Sequence, residues 1–430
     1  MNMTKLDTTT HRGTQRARAD RRSALTDWRS GLTVLAMACV VTSCTKTIPA
    51  PENQRVKSTT PTRNFACKDV LRQFSMIGSP KEFGHRDGSS SDALFFSPTG
   101  LVADEAGSIV VADEGNHDVR EIKADGAVTT LSGQGDIGYR DGKKEEAQFG
   151  GPVALARAAD GAIYVVDWLN ESVRKITRDG AVATIAGGHR GTPYIGANGK
   201  QFDQAQTGWK DGQGTEALFN NPRGIAVDDR GSVYVADASS NTIRKISTDG
   251  TVKTIAGRAP GGNLATGFVD GDSSQAKTNY PAAMTADQSG NVYFADNNHA
   301  VRRISRDGVV STLAGGGSRR FVANPLFPDL NDVVPQGKHR DGTGVDASFS
   351  RIDGLSIDSG GSILIAERFP SAIRLVAPDG MVTTILEPSP GCEIGQFLDS
   401  RKVGDDLRAA IWLPDGRIAF AIGSVVMIEK

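Results

Sequence analysis

Two kinds of charged side chain recur along the chain at a regular spacing, and both could do chemistry. Five carboxylates each end the second strand of a repeated segment, and a ring of such groups could hold a metal ion. Five arginines follow in the next strand, so each acid could instead pair with an arginine across a hairpin or cap a tight turn. We favour this second interpretation, because a residue present in every repeat usually maintains the repeat. The acids are Asp113, Asp167, Asp237, Asp296 and Glu367, and the arginines are Arg120, Arg174, Arg244, Arg302 and Arg374.

Other candidate catalytic groups are sparse. His117 and His299 occupy matching turns of two separate repeats, which is poor spacing for metal ligands, so a structural role is expected. The segments expected to line the centre of the fold, such as Leu101 to Ala103 and Ile225 to Val227, are small and apolar and contain neither His nor Glu. No Ser-His-Asp or metalloprotease motif occurs. The sequence therefore predicts no cofactor or metal and favours binding over catalysis.

These residues belong to an internal repeat. The segment Asp113 to Ile122 returns in altered form four times, as 167–176, 237–246, 296–304 and 367–376. The third copy shows four short strands rich in Val, Ile, Tyr and Thr, with an Asp-Gly pair in the last turn. Asp-Gly suits a two-residue hairpin in which both central residues take positive φ. The pattern predicts an all-β array of four-stranded antiparallel blades.

The repeat resembles a known family. The segment Val111 to Ile122 contains Asn116-His117, the pair that stands in the name of the NHL repeat, and the longer unit from Asp211 to Gly257 is similar to the NHL propellers of bacteria and of teneurin-like proteins. This resemblance implies a six-bladed β-propeller from about residue 64 to the C-terminus. It says less about function, because the family includes binding modules, sensor domains, RNA binders and a few lyases and hydrolases.

The sixth blade is divided between the two ends of the chain. The C-terminus supplies three strands, in 408–416, 417–421 and 424–428, and stops before a fourth. Val70 to Gly78 reads as the missing strand, and we expect Phe74 to Gly78 to lie beside Val425 to Ile428. Pairing the termini in one blade would remove the free edges of an open array.

The N-terminal region predicts export. Residues 1–44 contain a basic segment followed by the apolar run 31–44, which is short for a membrane span but typical of a secretory signal. Val41 to Cys44 resembles the lipobox of bacterial lipoproteins, so Cys44 is the expected lipidation site and the protein is expected at the bacterial cell envelope. Cleavage after Ala38, giving a soluble secreted protein, and an uncleaved anchor remain open. Residues 45–63 read as a disordered tether, and 64–430 as the propeller.

Export also bears on the remaining cysteines. Cys67 and Cys392 lie near opposite ends of the array, and two thiols outside the cytoplasm can pair, so we expect a disulfide that staples the closing blade. Two unpaired buried thiols are the alternative.

The connectors between blades carry the strongest functional signal. Each contains an aromatic residue or His shortly before Asp-Gly, and the two that begin near Gly187 and Gly315 are much longer than the others. Long loops on a rigid scaffold are common recognition sites. The repeated aromatics Tyr139, Trp209 and Phe268 could instead simply pack the connectors. The candidate binding residues are His189, Arg190, Tyr194, Trp209, Lys210, Arg319, Arg320, Phe321, Phe327, His339 and Arg340.

We therefore expect a lipid-anchored binding module for a protein, peptide or glycan. The net charge of −1 and the export signal both disfavour nucleic acid as a partner. The alternative is a propeller enzyme, a lyase or lactone hydrolase, with its site at the mouth of the central channel.

Overall fold

The computed structural model describes residues 63–65, 72–188, 194–195, 201–202, 205–257, 267–297, 299–316, 339–368, 371–388 and 407–430. All of them belong to one compact unit, Thr59–Lys430. They form six sheets built on a four-stranded antiparallel meander, which we number as blades 1 to 6. No helix within these ranges is long and apolar enough to cross a bilayer.

In each blade the strands follow one another outward from the centre. Blade 1 consists of Pro98–Ala103, Ile109–Asp113, Asp118–Ile122 and Val128–Ser132, and blade 2 of Pro152–Arg157, Ile163–Asp167, Ser172–Ile176 and Val182–Gly187. Blade 3 consists of Pro222–Val227, Val233–Asp237, Thr242–Ile246 and Thr251–Ala256, and blade 4 of Met284–Ala286, Val292–Asp296, Ala300–Ile304 and Val310–Gly315. Blade 5 consists of Ile352–Ile357, Ile363–Arg368, Ser371–Val376 and Met381–Pro388.

Blade 6 joins the two ends of the described chain. Its strands are Leu407–Trp412, Ile418–Ile422, Val425–Glu429 and, outermost, Phe74–Gly78. Phe74–Gly78 is antiparallel to Val425–Glu429, with Gly78 opposite Val425 and Phe74 opposite Glu429. The predicted closure is confirmed. The inner strands of neighbouring blades contact one another all the way round, including those of blades 6 and 1, so the described blades form a closed ring.

Short elements lie outside the meanders. The 3-10 helices are Glu114–Asn116, Trp168–Asn170, Ala238–Ser240, Gly214–Glu216 and Gly344–Asp346. Gly212–Gln213 and Gly342–Thr343 pair with the outer strands of blades 3 and 5, and Tyr194–Ile195 pairs with Gln201–Phe202. Arg63–Phe65, which was not predicted as a strand, runs parallel to Met381–Pro388.

The core lies between the blades. Six apolar clusters fill the six interfaces between adjacent blades, and in one of them Val166 and Val173 of blade 2 pack with Phe219 and Val235 of blade 3. Burial of these side chains stabilises neighbouring blades jointly, as expected for a repeat that cannot cover its own faces. Near the centre the blades approach so closely that a Cβ on Gly224 would lie 1.9 Å from the Ala282 carbonyl oxygen. The small inner-strand residues are thus required by packing.

The Asp-Gly turns differ in detail from the prediction. In blade 3 only Gly250 takes positive φ, at 84°, and Asp249 does not. The Gly250 N–H donates to Ser247 O at 2.8 Å, and the Asp249 carboxylate accepts from Thr251 N at 2.9 Å. Ser247 N donates to Thr251 O at 2.9 Å, so three residues connect the strands instead of two, and the Asp249 side chain satisfies the backbone N–H that follows the glycine.

Candidate functional site

The repeated acids and arginines form one buried network per blade in blades 1 to 5. Arg244 is fully buried and donates to Asp237 Oδ2 at 3.1 Å, Asp211 Oδ1 at 2.7 Å, Leu218 O at 2.9 Å and Lys210 O at 2.8 Å. Corresponding ion pairs join Arg120 to Asp113 and Asp87, Arg174 to Asp167 and Asp141, Arg302 to Asp296 and Asp270, and Arg374 to Glu367 and Asp341. The predicted pairing across the hairpin is confirmed.

The same carboxylates hold the backbone of the connectors. Asp167 Oδ1 accepts from the N–H groups of Gly150 and Gly151 at 2.9 and 2.8 Å, and Asp237 accepts from Asn220 N at 2.7 Å. These carboxylates therefore bind the buried arginines and the connector backbone of their own blades. No group of three or more His, Cys, Asp or Glu side chains within the described ranges is placed to hold a metal ion.

The connector Asp and the preceding aromatic complete the network. Asp211 accepts from Thr254 N at 3.1 Å and from its hydroxyl at 3.0 Å, which ties the outer strand to the connector. Trp209 lies 5.9 Å from the Arg244 guanidinium, and its indole N–H donates to Thr254 Oγ1 at 3.1 Å. Tyr139 and Phe268 stack on their own arginines at 4.9 and 4.8 Å. The interpretation of the repeated aromatics as packing residues is confirmed.

Blade 6 replaces this charged network with apolar side chains. By strand register, Ile422 and Met427 occupy the positions that Asp237 and Arg244 hold in blade 3, and both are buried. Phe420 packs edge to face against Phe74 at 5.2 Å. Well-packed apolar groups can replace a buried ion pair without loss of stability, so both solutions are consistent with one fold.

The histidines link neighbouring blades. His117, Glu171, Asn241 and His299 sit at the same turn with φ between 48° and 59°. His117 Nδ1 bonds Gly150 O at 2.6 Å and His299 Nδ1 lies 3.3 Å from Ser350 O, while Glu171 accepts from Asn221 N and Asn241 from Tyr280 N, both at 2.7 Å. Each side chain therefore reaches the loop that precedes the next inner strand. The expected structural role is confirmed.

Four of the predicted binding residues can be placed. Trp209 is 43% exposed yet packs on Arg244, and Lys210 is exposed beside it. The His339 imidazole lies between Glu367 at 3.5 Å and Glu387 at 3.2 Å, and burial lowers its pKa. Arg340 donates to Asp346 O at 2.8 Å. The two pairs lie on blades 3 and 5, which are not neighbours, so the four do not form one continuous surface.

The other predictions fall on residues that are not described. Tyr194 is placed only by its backbone, in the strand Tyr194–Ile195. The predicted binding residues outside the described ranges are His189, Arg190, Arg319, Arg320, Phe321 and Phe327, and the lipidation and disulfide cysteines Cys44, Cys67 and Cys392 lie outside them too. Their roles stay predictions.

The central channel is lined by the inner strands. A cavity of about 830 Å³ opens towards the face that carries the Asp-Gly turns, which we call the turn face. Its walls are mostly small and apolar, as expected, and include Leu101, Ala156 and Ile225. Arg157 and Trp412 add polar groups near the rim, and Arg157 lies 3.7 Å from Asp104.

The opposite face carries the inter-blade connectors and the turns between second and third strands, and we call it the connector face. Here unrepeated side chains form a chain of contacts across blades 1 to 3. The Trp168 indole N–H donates to Glu114 Oε1 at 3.0 Å, and the Arg223 guanidinium lies 4.4 Å from the Trp168 ring. In blades 3 and 4, Asn221 Nδ2 donates to the Tyr280 hydroxyl at 2.7 Å.

Blade 1 adds an exposed aromatic pair to this face. Phe83 and Phe96 stack at 4.7 Å and are 50% and 39% exposed. Gly115 makes room for them, because a Cβ there would lie 2.5 Å from the Phe96 ring. On the far side, Asp353 of blade 5 is approached by Arg351 at 2.7 Å and by Arg368 at 3.5 Å.

Sequence reasoning missed Phe83, Phe96, Trp168, Arg223 and Tyr280, which we call the connector-face arc. The sequence did contain one signal for these residues: each is a large or charged residue at a repeat position where other blades have a small or polar one. Trp168, for example, follows Asp167 where Ala238 follows Asp237. The residues that the copies share belong to the scaffold, and the long connectors are the most visible departure from the repeat, so sequence patterns point to the connectors and not to these positions.

Comparisons with known proteins agree with this fold. The family model of the teneurin NHL domain matches residues 191–266. NHL repeat-containing protein 2 of Homo sapiens is 25% identical over 324 residues, covering 59% of this chain and 44% of that protein. Teneurin-3 of Danio rerio is 27% identical over 331 residues, covering 69% of this chain and 12% of that protein. The chain thus spans less than half the length of these relatives.

A solved structure shows the same architecture. An auxiliary nutrient binding protein from Bacteroides ovatus superposes with a TM-score of 0.52 at 12% identity, covering 83% of this chain and 76% of that one. At this identity the likeness concerns the fold alone.

Proposed function

Because the resemblance to NHL-repeat β-propellers is confirmed, we propose that this protein is an exported, lipid-anchored binding module that captures a protein, peptide or glycan on its connector face. The observation that carries the proposal is the connector-face arc. Its aromatic and charged side chains are not repeated from blade to blade and are not needed for the Arg–acid network, whereas most other polar side chains at the blade ends serve the scaffold.

Two further observations support a binding role for the connector face. The two long connectors begin at this face, where the N–H groups of Gly188 and Gly316 donate to the carbonyls of Glu171 and His299 at 3.0 and 3.1 Å. The nutrient-binding propeller of Bacteroides ovatus is a precedent for ligand capture on this architecture. Export and lipidation rest on the sequence features of residues 1–44.

Site-specific photo-crosslinking on the whole protein tests the assignment to a face. A benzoylphenylalanine at Leu169 probes the connector face, and one at Val309 is the matched control, because Val309 is an equally exposed aliphatic residue in an Asp-Gly turn of the turn face. We expect crosslinked partners in the cell envelope from Leu169 and none from Val309. Equal crosslinking yields at Leu169 and Val309 would refute the proposal that the connector face is the binding surface.

The enzymatic alternative is tested separately. Lactones and C-terminally amidated glycine peptides, offered with and without calcium or zinc, should not be turned over by the purified protein. Replacing Arg319 and Arg320 by alanine should weaken partner capture if the long connector contributes. Turnover that survives this double replacement would favour the enzyme.

A further inference from the structure

Arg223 differs from the buried arginines of the blades. Each of those lies between two carboxylates. The Arg223 guanidinium, among the described residues, makes no ion pair within 4.0 Å and donates no hydrogen bond, and it lies over the Trp168 ring at 4.4 Å. An arginine that lacks an acceptor is ready to bind an external anion, since its planar fork matches a carboxylate.

The guanidinium is also held in place. Trp168 supports its face, and the indole is fixed in turn by its bond to Glu114 at 3.0 Å. The N–H groups of a guanidinium lie in its own plane, so contact of its face with the indole does not block them from acceptors. A side chain ordered before binding loses less conformational entropy when a ligand arrives.

The nearby acid does not neutralise this charge fully. Glu171 accepts a hydrogen bond from Asn221 N at 2.7 Å, and burial raises the pKa of Glu171 to about 7. At neutral pH its carboxyl is therefore only partly ionised.

Apolar groups continue from this cation towards blade 1. Leu169, next to Trp168 in the sequence, is 42% exposed. The exposed Phe83–Phe96 stack packs against Gly115, which follows the Glu114 that binds Trp168. A carboxylate bound at Arg223 would thus have apolar surface beside it. The exposed side chains of Leu169, Phe83 and Phe96 are apolar and offer no partners to the hydroxyl groups of a sugar acid, whereas they match the hydrophobic side chains of a peptide, which favours a peptide over a glycan.

We propose that Arg223 and Trp168 form the acid-binding subsite for a peptide segment in which an acidic side chain is flanked by aromatic or aliphatic ones. The Arg223 guanidinium binds the carboxylate, and Leu169, Phe96 and Phe83 contact the apolar flank. On the other side the Tyr280 hydroxyl, which accepts from Asn221, keeps its own proton available for donation to the peptide. This assignment rests on the proposed function and names its ligand class.

Calorimetric titration of the full-length protein with acetyl-Phe-Glu-Phe-amide tests the subsite. The isosteric acetyl-Phe-Gln-Phe-amide is the first control, because it removes the charge without altering the protein. We expect the glutamate peptide to bind at least about tenfold more tightly, which is the usual effect of one charge-assisted hydrogen-bonded contact. Equal binding of the two peptides, or no binding at millimolar concentration, would overturn the inference.

A matched pair of variants locates the effect. Arg223→Gln should weaken binding of the glutamate peptide by about tenfold or more. Arg230→Gln should leave it unchanged, because Arg230 lies in the same blade but in the turn at the opposite face. Equal effects of the two changes would refute the assignment. Thermal unfolding of both variants checks that they fold.

The outcomes separate this inference from the proposed function. Loss of peptide discrimination with continued crosslinking from Leu169 would refute only the acidic-peptide subsite. Loss of both would refute the connector face as a binding surface. Titration with a glucuronate oligosaccharide tests the alternative ligand class. If the sugar acid binds, loses affinity in Arg223→Gln, and the peptide does not bind, the proposed ligand class is wrong.

Discussion

Removing one buried arginine should destabilise a whole blade. In Arg244→Met, four acceptors lose their donor: Asp237, Asp211, and the carbonyls of Leu218 and Lys210. Asp237 is fully buried and burial raises its pKa to about 7, so without Arg244 its carboxyl must either stay buried as an unpaired charge or bind a proton, and both states cost stability. Loss of one partner of a buried ion pair typically costs about 3–5 kcal/mol, and we expect a decrease of that size in the free energy of unfolding.

Blade 6 suggests how to recover this stability. The double variant Asp237→Ile/Arg244→Met copies the pair formed by Ile422 and Met427, which packs without charges. It removes the uncompensated carboxylate, so it should be more stable than Arg244→Met by about 1–3 kcal/mol. Urea unfolding at pH 7, followed by far-UV circular dichroism, measures both.

The control is Lys245→Met on the same strand. Lys245 is partly exposed and makes no buried ion pair; its ammonium lies 5.2 Å from the Tyr234 ring. We expect a change within about 1 kcal/mol. The reasoning would be refuted if Arg244→Met cost no more than this control, or if the double variant were less stable than Arg244→Met alone.

Three further predictions follow from the same geometry and from the N-terminal motif. Asp118 is fully buried and lies 2.8 Å from the His85 imidazole, and this hydrogen bond raises the pKa of His85. The stability that this shift contributes is fully present below about pH 6.5 and is lost as pH rises through the raised pKa, so Asp118→Ser should flatten the fall of melting temperature between about pH 6.5 and 8. Burial raises the pKa of Asp118 itself, and the stability linked to that second shift begins to be lost at lower pH, above about pH 4. Glu171→Leu should lower the free energy of unfolding in urea by about 1–3 kcal/mol, because it leaves Asn221 N without its acceptor. Glu171→Gln keeps an acceptor and should cost less than about 1 kcal/mol, so equal losses in the two variants would argue against a stabilising role for this hydrogen bond between blades. Cys44→Ser should move the protein from the membrane to the soluble fraction and abolish labelling with palmitate, and retention in the membrane would indicate an uncleaved anchor.

The fold was largely readable from the sequence because its determinants are local and repeated. Val, Ile and Tyr in short alternating runs, separated by Asp and Gly, specify each strand and turn wherever they occur. The incomplete sixth unit also predicted the pairing of Phe74–Gly78 with Val425–Glu429. The Arg–acid pairs were predictable too, since both partners lie on adjacent strands of one hairpin. Each buried arginine also pairs with an Asp of the connector motif, such as Asp211 with Arg244, and the motif alone did not predict this second ion pair.

The binding surface was less accessible to this reasoning. Trp168 meets Glu114, 54 positions earlier, and Asn221 meets Tyr280, 59 positions later. Each of these contacts joins different blades, and no local pattern connects the partners. A single large residue in a turn, such as Trp168, resembles ordinary repeat variation until its neighbours are known.

The amino-acid sequence alone determined the number of blades, their closure and the hairpin ion pairs, because a repeated local pattern needs only its nearest neighbours to be interpreted. The tertiary structure decided which unrepeated side chains meet on the connector face. It also showed that Arg223 lies against Trp168, whereas the five buried arginines of blades 1 to 5 each lie between two carboxylates. Neighbouring blades bring residues more than fifty positions apart within hydrogen-bonding distance. That proximity is a property of the closed ring and of no single segment.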